Sequence, residues 1–376
     1  MRYCKRCVQP DTRPNSRFDE FGVCPACNFQ DEYASIDWDE RRRELDAIVS
    51  ETKLHNYSDY DCIIGVSGGK DSTRQAMFAR DELGLRPLLV CCTYPPEQIT
   101  ELGCANLSNL VSLGFDTVNV SPGPQVWKRL MRNGFFRFGN FGKSTEMALY
   151  ASAPKIAVAY RIPLIFLGEN PAITVGALCT GSTSGDANKM KNTHTLQGGV
   201  DVVTEEGVRE QELFWYRYSS DEEMQMANLR VVYLGYYIKD FFKVENEKFS
   251  VAHGMQIRND PPEDIGDISG AEALDENFVV VNQMFKFLKF GFGKVTEQVC
   301  EEMRLGRMTR EEAVRLVKAY DGRCAKRYIE SFCEYLEITE KEFWEVAERF
   351  RGKDVWEPDG NGGWKLRASI DERPAT

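Results

Sequence analysis

The apolar positions of this chain come in short runs that alternate with helical faces. Cys62-Ile63-Ile64-Gly65-Val66 is an apolar run of strand length, and the segment after it places Met77, Phe78 and Leu83 on one helical face. Leu88–Cys92, Asp116–Val120 and Ile162–Leu167 read as further strands. Between them, residues 97–113 carry Leu102, Leu107, Leu110 and Val111 at helical spacing, and the Ala-rich stretch 147–160 reads as another helix. Strands alternating with helices predict a parallel sheet wrapped by helices. In such sheets ligands sit past the carboxyl ends of the strands, which singles out the residues after Val66 and after Leu167.

Outside that region the pattern changes. Leu45, Ile48 and Val49 fall in helical register within residues 37–52. From Thr296 onward the pattern is helical. Thr309-Arg-Glu-Glu312 and Thr339-Glu-Lys-Glu342 fit the capping box, and Ala313, Leu316, Val317 and Tyr320 share one face. Residues 230–242 hold a dense aromatic cluster that reads as core. Pro171–Gly199 has no strong periodicity, and so long a connection reads as functional or disordered. Within it Lys189, Lys191 and His194 are candidates for contacts to phosphates or a sugar carboxylate, with His194 favoured as a solvated loop residue. The Gly-, Asp- and Pro-rich stretch from Arg351 reads as a loosely ordered tail.

Charge narrows the partners. The 376 residues carry 47 Lys and Arg against 58 Asp and Glu, a net charge of −11, which argues against a nucleic-acid partner. No apolar segment follows Met1-Arg2-Tyr3-Cys4 to make a signal peptide, and no run reaches membrane-span length. The 12 cysteines then suggest a reducing cytoplasm, with thiols used for metal or packing.

Four of those cysteines form a pattern. Cys4-x-x-Cys7 and Cys24-x-x-Cys27, with residues 8–23 between the pairs, have zinc-ribbon spacing. Four thiolates fill the coordination of zinc, so the site is expected to be structural. Residues 1–60 hold more Asp and Glu than Lys and Arg, so the ribbon lacks a nucleic-acid footprint and reads as a docking or lid element.

The most informative stretch is Ser67-Gly68-Gly69-Lys70-Asp71-Ser72. A strand, a glycine turn and a helix start make an anion site, because the glycines let backbone approach phosphate and the first helical amides point at it. Ser67 and Ser72 add hydroxyls. Asp71 beside a phosphate calls for a divalent cation between them, taken to be magnesium. The Lys-Ser/Thr-terminated loop common among nucleoside triphosphatases is absent. Thr93-Tyr94-Pro95-Pro96 is expected to form the adenine-side loop, and Gly168-Glu169-Asn170 the second strand-end site.

The Ser67–Ser72 run resembles the pyrophosphate (PP) loop of the N-type ATP pyrophosphatases. Together with both cysteine pairs, Gly103-x-x-Asn106-Leu107, Leu113-Gly114-Phe115-Asp116, Gly168-Glu169-Asn170 and Tyr233-Leu234-Gly235-Tyr236-Tyr237, it makes nearly the whole chain similar to the N-acetyl sugar amidotransferase family. Those are bacterial enzymes of O-antigen, pseudaminic acid and flagellin-glycan pathways. The resemblance implies an α/β PP-loop domain with an N-terminal zinc ribbon and a helical C-terminal part: residues 1–58 ribbon and linker helix, 59–245 PP-loop domain, 246–350 helical region, 351–376 tail. It implies ATP and Mg2+ as cofactors beside structural Zn2+ on Cys4, Cys7, Cys24 and Cys27. Ser67, Gly68, Gly69, Asp71, Ser72 and Thr93 would bind nucleotide. Asp71, Lys70, Glu169 and Asn170 would serve catalysis: Asp71 on magnesium, Lys70 on a phosphate, Glu169 and Asn170 on the substrate amide or the ammonia. The implied reaction adenylates the acetamido oxygen of an N-acetylated sugar and replaces it with ammonia from a separate glutaminase subunit, through a cyclase-like barrel subunit. The alternative is a tRNA-thiolating enzyme, which shares the loop but uses sulfur and reactive cysteines.

Overall fold

The computed structural model describes residues 1–176, 184–188, 190–192 and 196–371. Gly181–Thr183, Lys189, His194 and Cys179 lie outside the described residues. The chain opens with the cysteine-bearing segment, followed by α1 (Pro25–Ala34) and α2 (Trp38–Leu54), the latter capped by Asp37, whose side chain accepts from the N–H of Asp39 and Glu40. Then come β1 (Cys62–Gly65), α3 (Lys70–Met77), β2 (Pro87–Cys92), α4 (Glu101–Ser112), β3 (Asp116–Val120), α5 (Pro124–Phe138), α6 (Gly142–Tyr160), β4 (Leu164–Leu167) and a short α7 (Pro171–Val175). A fifth strand, β5 (Arg230–Tyr233), and α8 (Lys243–Ala252) precede a helical run of α9 (Val279–Phe290), α10 (Lys294–Arg304), α11 (Arg310–Tyr320), α12 (Lys326–Leu336) and α13 (Glu340–Phe350). Both capping boxes expected at Thr309 and Thr339 are present.

The five strands make one parallel sheet in the order β3-β2-β1-β4-β5. Each central strand is apolar on both sides. Ile64, Leu89 and Phe166 face α2, α3 and α4 on one side, and Ile63, Val90 and Ile165 face α6 on the other. The order reverses between β1 and β4, so the crevice beyond their carboxyl ends is the switch point where ligands bind in open parallel sheets.

Residues 351–371 contain a hairpin, β6 (Trp356–Pro358) paired with β7 (Trp364–Leu366), where a loose tail was expected. Trp356 is buried and donates from Nε1 to the Leu288 carbonyl. The C-terminal helices do not stand apart: Phe285, Phe332 and Phe343 surround Phe135 of α5 in one aromatic cluster. The ribbon has its own partner within the chain, since Tyr3, Val8 and the four cysteines pack against Val295, Val299 and Cys300 of α10 and Ala313 of α11.

Candidate active site

The loop after β1 begins with Gly68 at φ +79°, where a Cβ would stand 2.9 Å from backbone atoms of Asn106 and Leu107. Gly68 is therefore demanded by the seating of the loop on α4, and Gly103 of the same helix lets Asp275 pack against it. Among the described residues, the N–H groups of Gly68, Gly69, Lys70 and Asp71 donate to no protein acceptor. They are the orphan donors of a helix start, directed at an open cavity. Ser72 turns its hydroxyl back to the Gly69 carbonyl, 3.0 Å away.

That cavity, about 260 Å³, is lined by Ser67, Gly69, Lys70, Asp71 and Ser72 on one wall, Gly168 and Glu169 on another, and Ala271–Leu274 on a third. A second cavity of about 460 Å³ adjoins it, lined among others by Glu146, Asn170, Asp186, Tyr233 and Lys243. Asp71, Tyr150, Gly168 and Glu169 line both. The space over the loop thus opens into a second, acidic space, with two carboxylates, Asp71 and Glu169, at the junction.

The junction residues are held firmly. Asn246 of α8 donates to Asp71 Oδ1 at 2.6 Å and itself accepts from Arg74 at 2.7 Å. One turn on, Ser250 donates to the Lys70 carbonyl at 2.7 Å. Tyr150 donates to Glu169 Oε1 at 2.6 Å. Burial, against the Tyr150 bond, raises the Glu169 carboxyl above its ordinary range, and burial together with Glu169 pushes Glu146 up to about 7. Asn170 lines the larger cavity with its amide donating to the Gly235 carbonyl at 3.2 Å.

Lys70 is 4% exposed, with Nζ 3.3 Å from Asp71 and 3.1 Å from Glu272. Burial pulls its pKa down, but the two carboxylates outweigh this and raise it. Glu272 also pairs with Lys294 at 2.8 Å. Thr93 sits at the end of β2 with its hydroxyl bonded to Ser121 and does not line the loop cavity. Tyr94 of the same loop packs edge-on against Trp127. Burial pushes the Cys92 thiol up to about 12, and those of Cys62 and Cys91 higher still.

The structure thus brings Ser67, Gly69, Lys70, Asp71, Ser72, Glu169 and Asn170 together and leaves Thr93 aside. Sequence reading missed Glu146, Tyr150, Asn246, Glu272 and Lys294. Glu146 and Tyr150 stand four apart on α6, a helical pair that could have been noticed; the others reach the site from distant chain and left no local signal.

At the ribbon, all four cysteine sulfurs lie within 4.8 Å of one another, with Cys7–Cys24 at 3.7 Å and Cys4–Cys27 at 3.9 Å. These are too long for disulfides and match the edge, about 3.8 Å, of a thiolate tetrahedron with zinc at ~2.3 Å. Backbone N–H groups of Arg6, Gln9 and Cys24 point at the sulfurs at 3.3–3.5 Å. The cluster could hold a structural zinc.

Among known proteins, residues 272–370 match the family model "LPS biosynthesis protein WbpG-like, C-terminal domain". The C-terminal region is thus similar to a WbpG-like C-terminal domain. That agrees with the family resemblance carried by the loop and the cysteine pairs. Its first matched residue is Glu272, and the WbpG-like domain also supplies Lys294 and the helices that seat the ribbon. No curated protein sequence matches the chain. The structure of NMN synthetase from Francisella tularensis aligns with 60% of this chain and 99% of that one, at 15% identity and a TM-score of 0.28, too low to support an argument. Among the described residues no helix is long and apolar enough to cross a membrane.

Proposed function

We propose that this chain is an AMP-forming, ATP-dependent amidotransferase acting on an N-acetylated sugar in bacterial surface-polysaccharide or flagellin-glycan biosynthesis, in the cytoplasm. The observation that carries the reading is the pair of cavities joined at Asp71: one over a phosphate-binding turn, the other large enough for a sugar. ATP would lie over residues 67–72 with its α-phosphate at the junction, reachable from the second cavity. The WbpG-like domain supports the biosynthetic setting.

The acetamido oxygen attacks the α-phosphorus, the bond to the β-phosphate oxygen breaks, and pyrophosphate leaves. An amide carbonyl is a poor electrophile; the O-adenylyl imidate so formed carries AMP as a good leaving group. Ammonia then adds to the imidate carbon and the C–O bond to AMP breaks, leaving an acetamidino group. The loop amides and Lys70 bind and orient the phosphates, so that catalysis is mainly positioning and charge neutralisation. A divalent cation on Asp71 would supply further neutralisation. Glu169, oriented by Tyr150, and Asn170 face the acceptor. Ammonia would come from a separate glutaminase through a barrel subunit. The ribbon face left uncovered by α10 and α11 is the docking candidate.

The test is product analysis. The purified chain, given magnesium-ATP, ammonium and a panel of free and nucleotide-linked N-acetyl sugars, should release AMP and pyrophosphate only with the right acceptor. Cleavage to ADP, or AMP release indifferent to acceptor, would exclude the reading.

A further inference from the structure

Lys70 heads α3, and it is 4% exposed and lodged between Asp71 and Glu272. Glu272 is divided: Oε1 faces Lys70 at 3.1 Å and Oε2 faces Lys294 at 2.8 Å. The four groups alternate in sign and balance. A plain structural pair would account for Lys70 with one carboxylate. It does not account for the second cation on Glu272, nor for Lys70 and Glu272 both opening onto the cavity over the loop. Breaking a buried ion pair normally strands a charge, which is strongly destabilising. Here Lys70 can leave Glu272 without that penalty, because Lys294 stays.

We propose that Glu272 is a positioning residue for the phosphate site: it holds the Lys70 ammonium beside the loop and yields it to the phosphate oxygens of the incoming nucleotide, while Lys294 keeps the Glu272 charge compensated. This rests on the adenylation reading for the identity of the anion. Burial opposes charge on all three groups, yet Lys70 and Lys294 are raised and Glu272 is held well below the usual carboxylate range, so each stays ionised through the exchange. The exchange also explains why the first matched residue of the WbpG-like domain reaches into a cavity built by β1 and α3. The domain completes the nucleotide site and does more than cover it.

The sign of two substitutions separates this role from a structural one. Binding of the magnesium complex of α,β-methylene-ATP to the full-length chain is measured by isothermal titration calorimetry. Glu272→Gln removes a carboxylate that competes for Lys70 and repels phosphate, so affinity should rise about fivefold or more; Lys294→Gln makes Glu272 depend on Lys70 alone, so affinity should fall by a similar factor. Glu272→Asp, which keeps the charge, should bind nearly as the wild type does. Wild-type binding with both Gln variants shifted in the same direction, or neither shifted, overturns the inference alone. A wild-type chain that binds no analogue overturns it together with the nucleotide reading. Should either variant fail to fold, a crystal structure of the wild type with the analogue decides: Lys70 on a phosphate oxygen with Glu272–Lys294 intact supports the exchange, and Lys70 still on Glu272 overturns it.

Discussion

Asp71 is the residue on which two spaces meet. Its Oδ1 is fixed by Asn246 and its Oδ2 faces Lys70, so its orientation is set before any ligand arrives. Asp71→Asn keeps the shape and removes the charge. Acceptor-dependent AMP formation should fall by at least about 100-fold, the scale seen when an electrostatic transition-state contact is lost, while circular dichroism stays unchanged. Turnover surviving in that variant would remove Asp71 from the chemistry. Glu146 offers a second test through pH. Its ordinary value of 4.5 is pushed up to about 7 by burial and by Glu169. Between those two values the unfolded chain gives up a proton that the folded chain keeps, so the stability contribution of this group declines as pH rises through the window and is lowest above it. Glu146→Gln should therefore match the wild type in Tm near pH 5 and exceed it near pH 8. A Tm difference that does not change with pH would contradict the shift.

At the scale of elements, the turn after β1 takes its shape because α3 starts soon after β1 ends and because Gly68 lets the turn lie on α4. Gly68→Ala adds a Cβ 2.9 Å from Asn106 and Leu107 backbone at a φ of +79°. It should cost about 1–3 kcal/mol in denaturant unfolding and weaken nucleotide binding with it. Unchanged stability would mean the turn is looser than the structure has it. The same scale shows what the sequence made legible. β1, β2 and β4 were readable because strands buried on both faces are apolar without interruption. β5 was not, because its four residues lie in an aromatic run that looks like general core. The Pro- and Gly-punctuated start of α5 hid a helix whose Trp127, Leu130, Met131 and Phe135 are buried. The loop, the Gly168–Asn170 turn and the cysteine pairs were legible because each carries its chemistry within a few residues. Asn246 was not, since it meets Asp71 across 175 positions and nothing local marks it.

At the scale of the molecule, the cysteine-bearing segment, the WbpG-like region and the parallel sheet form one connected body. Arg310 donates to the carbonyls of Cys4 and Cys7 at 3.2 and 2.6 Å, and Arg13 of the ribbon pairs with Glu297 at 2.8 Å, which Lys286 also holds at 2.7 Å. Lys294, electrostatically tied to Glu297, carries the series to Glu272 and so to Lys70. A segment as short as the ribbon has too little core to hold its shape without metal. Metal analysis of the purified chain should give zinc at one per chain. Its removal by a chelator should lower Tm and expose the apolar faces of α10 and α11 to a hydrophobic dye. Full stability after zinc removal would contradict a structural role for the four thiolates.

The most direct test of the adenylation chemistry follows one oxygen atom. With the acceptor sugar that supports AMP release, labelled with heavy oxygen in its acetamido carbonyl, the label should end in the phosphate of AMP, because that oxygen bonds to the α-phosphorus and departs with it. AMP that carries no label while the amidino product accumulates would contradict the account.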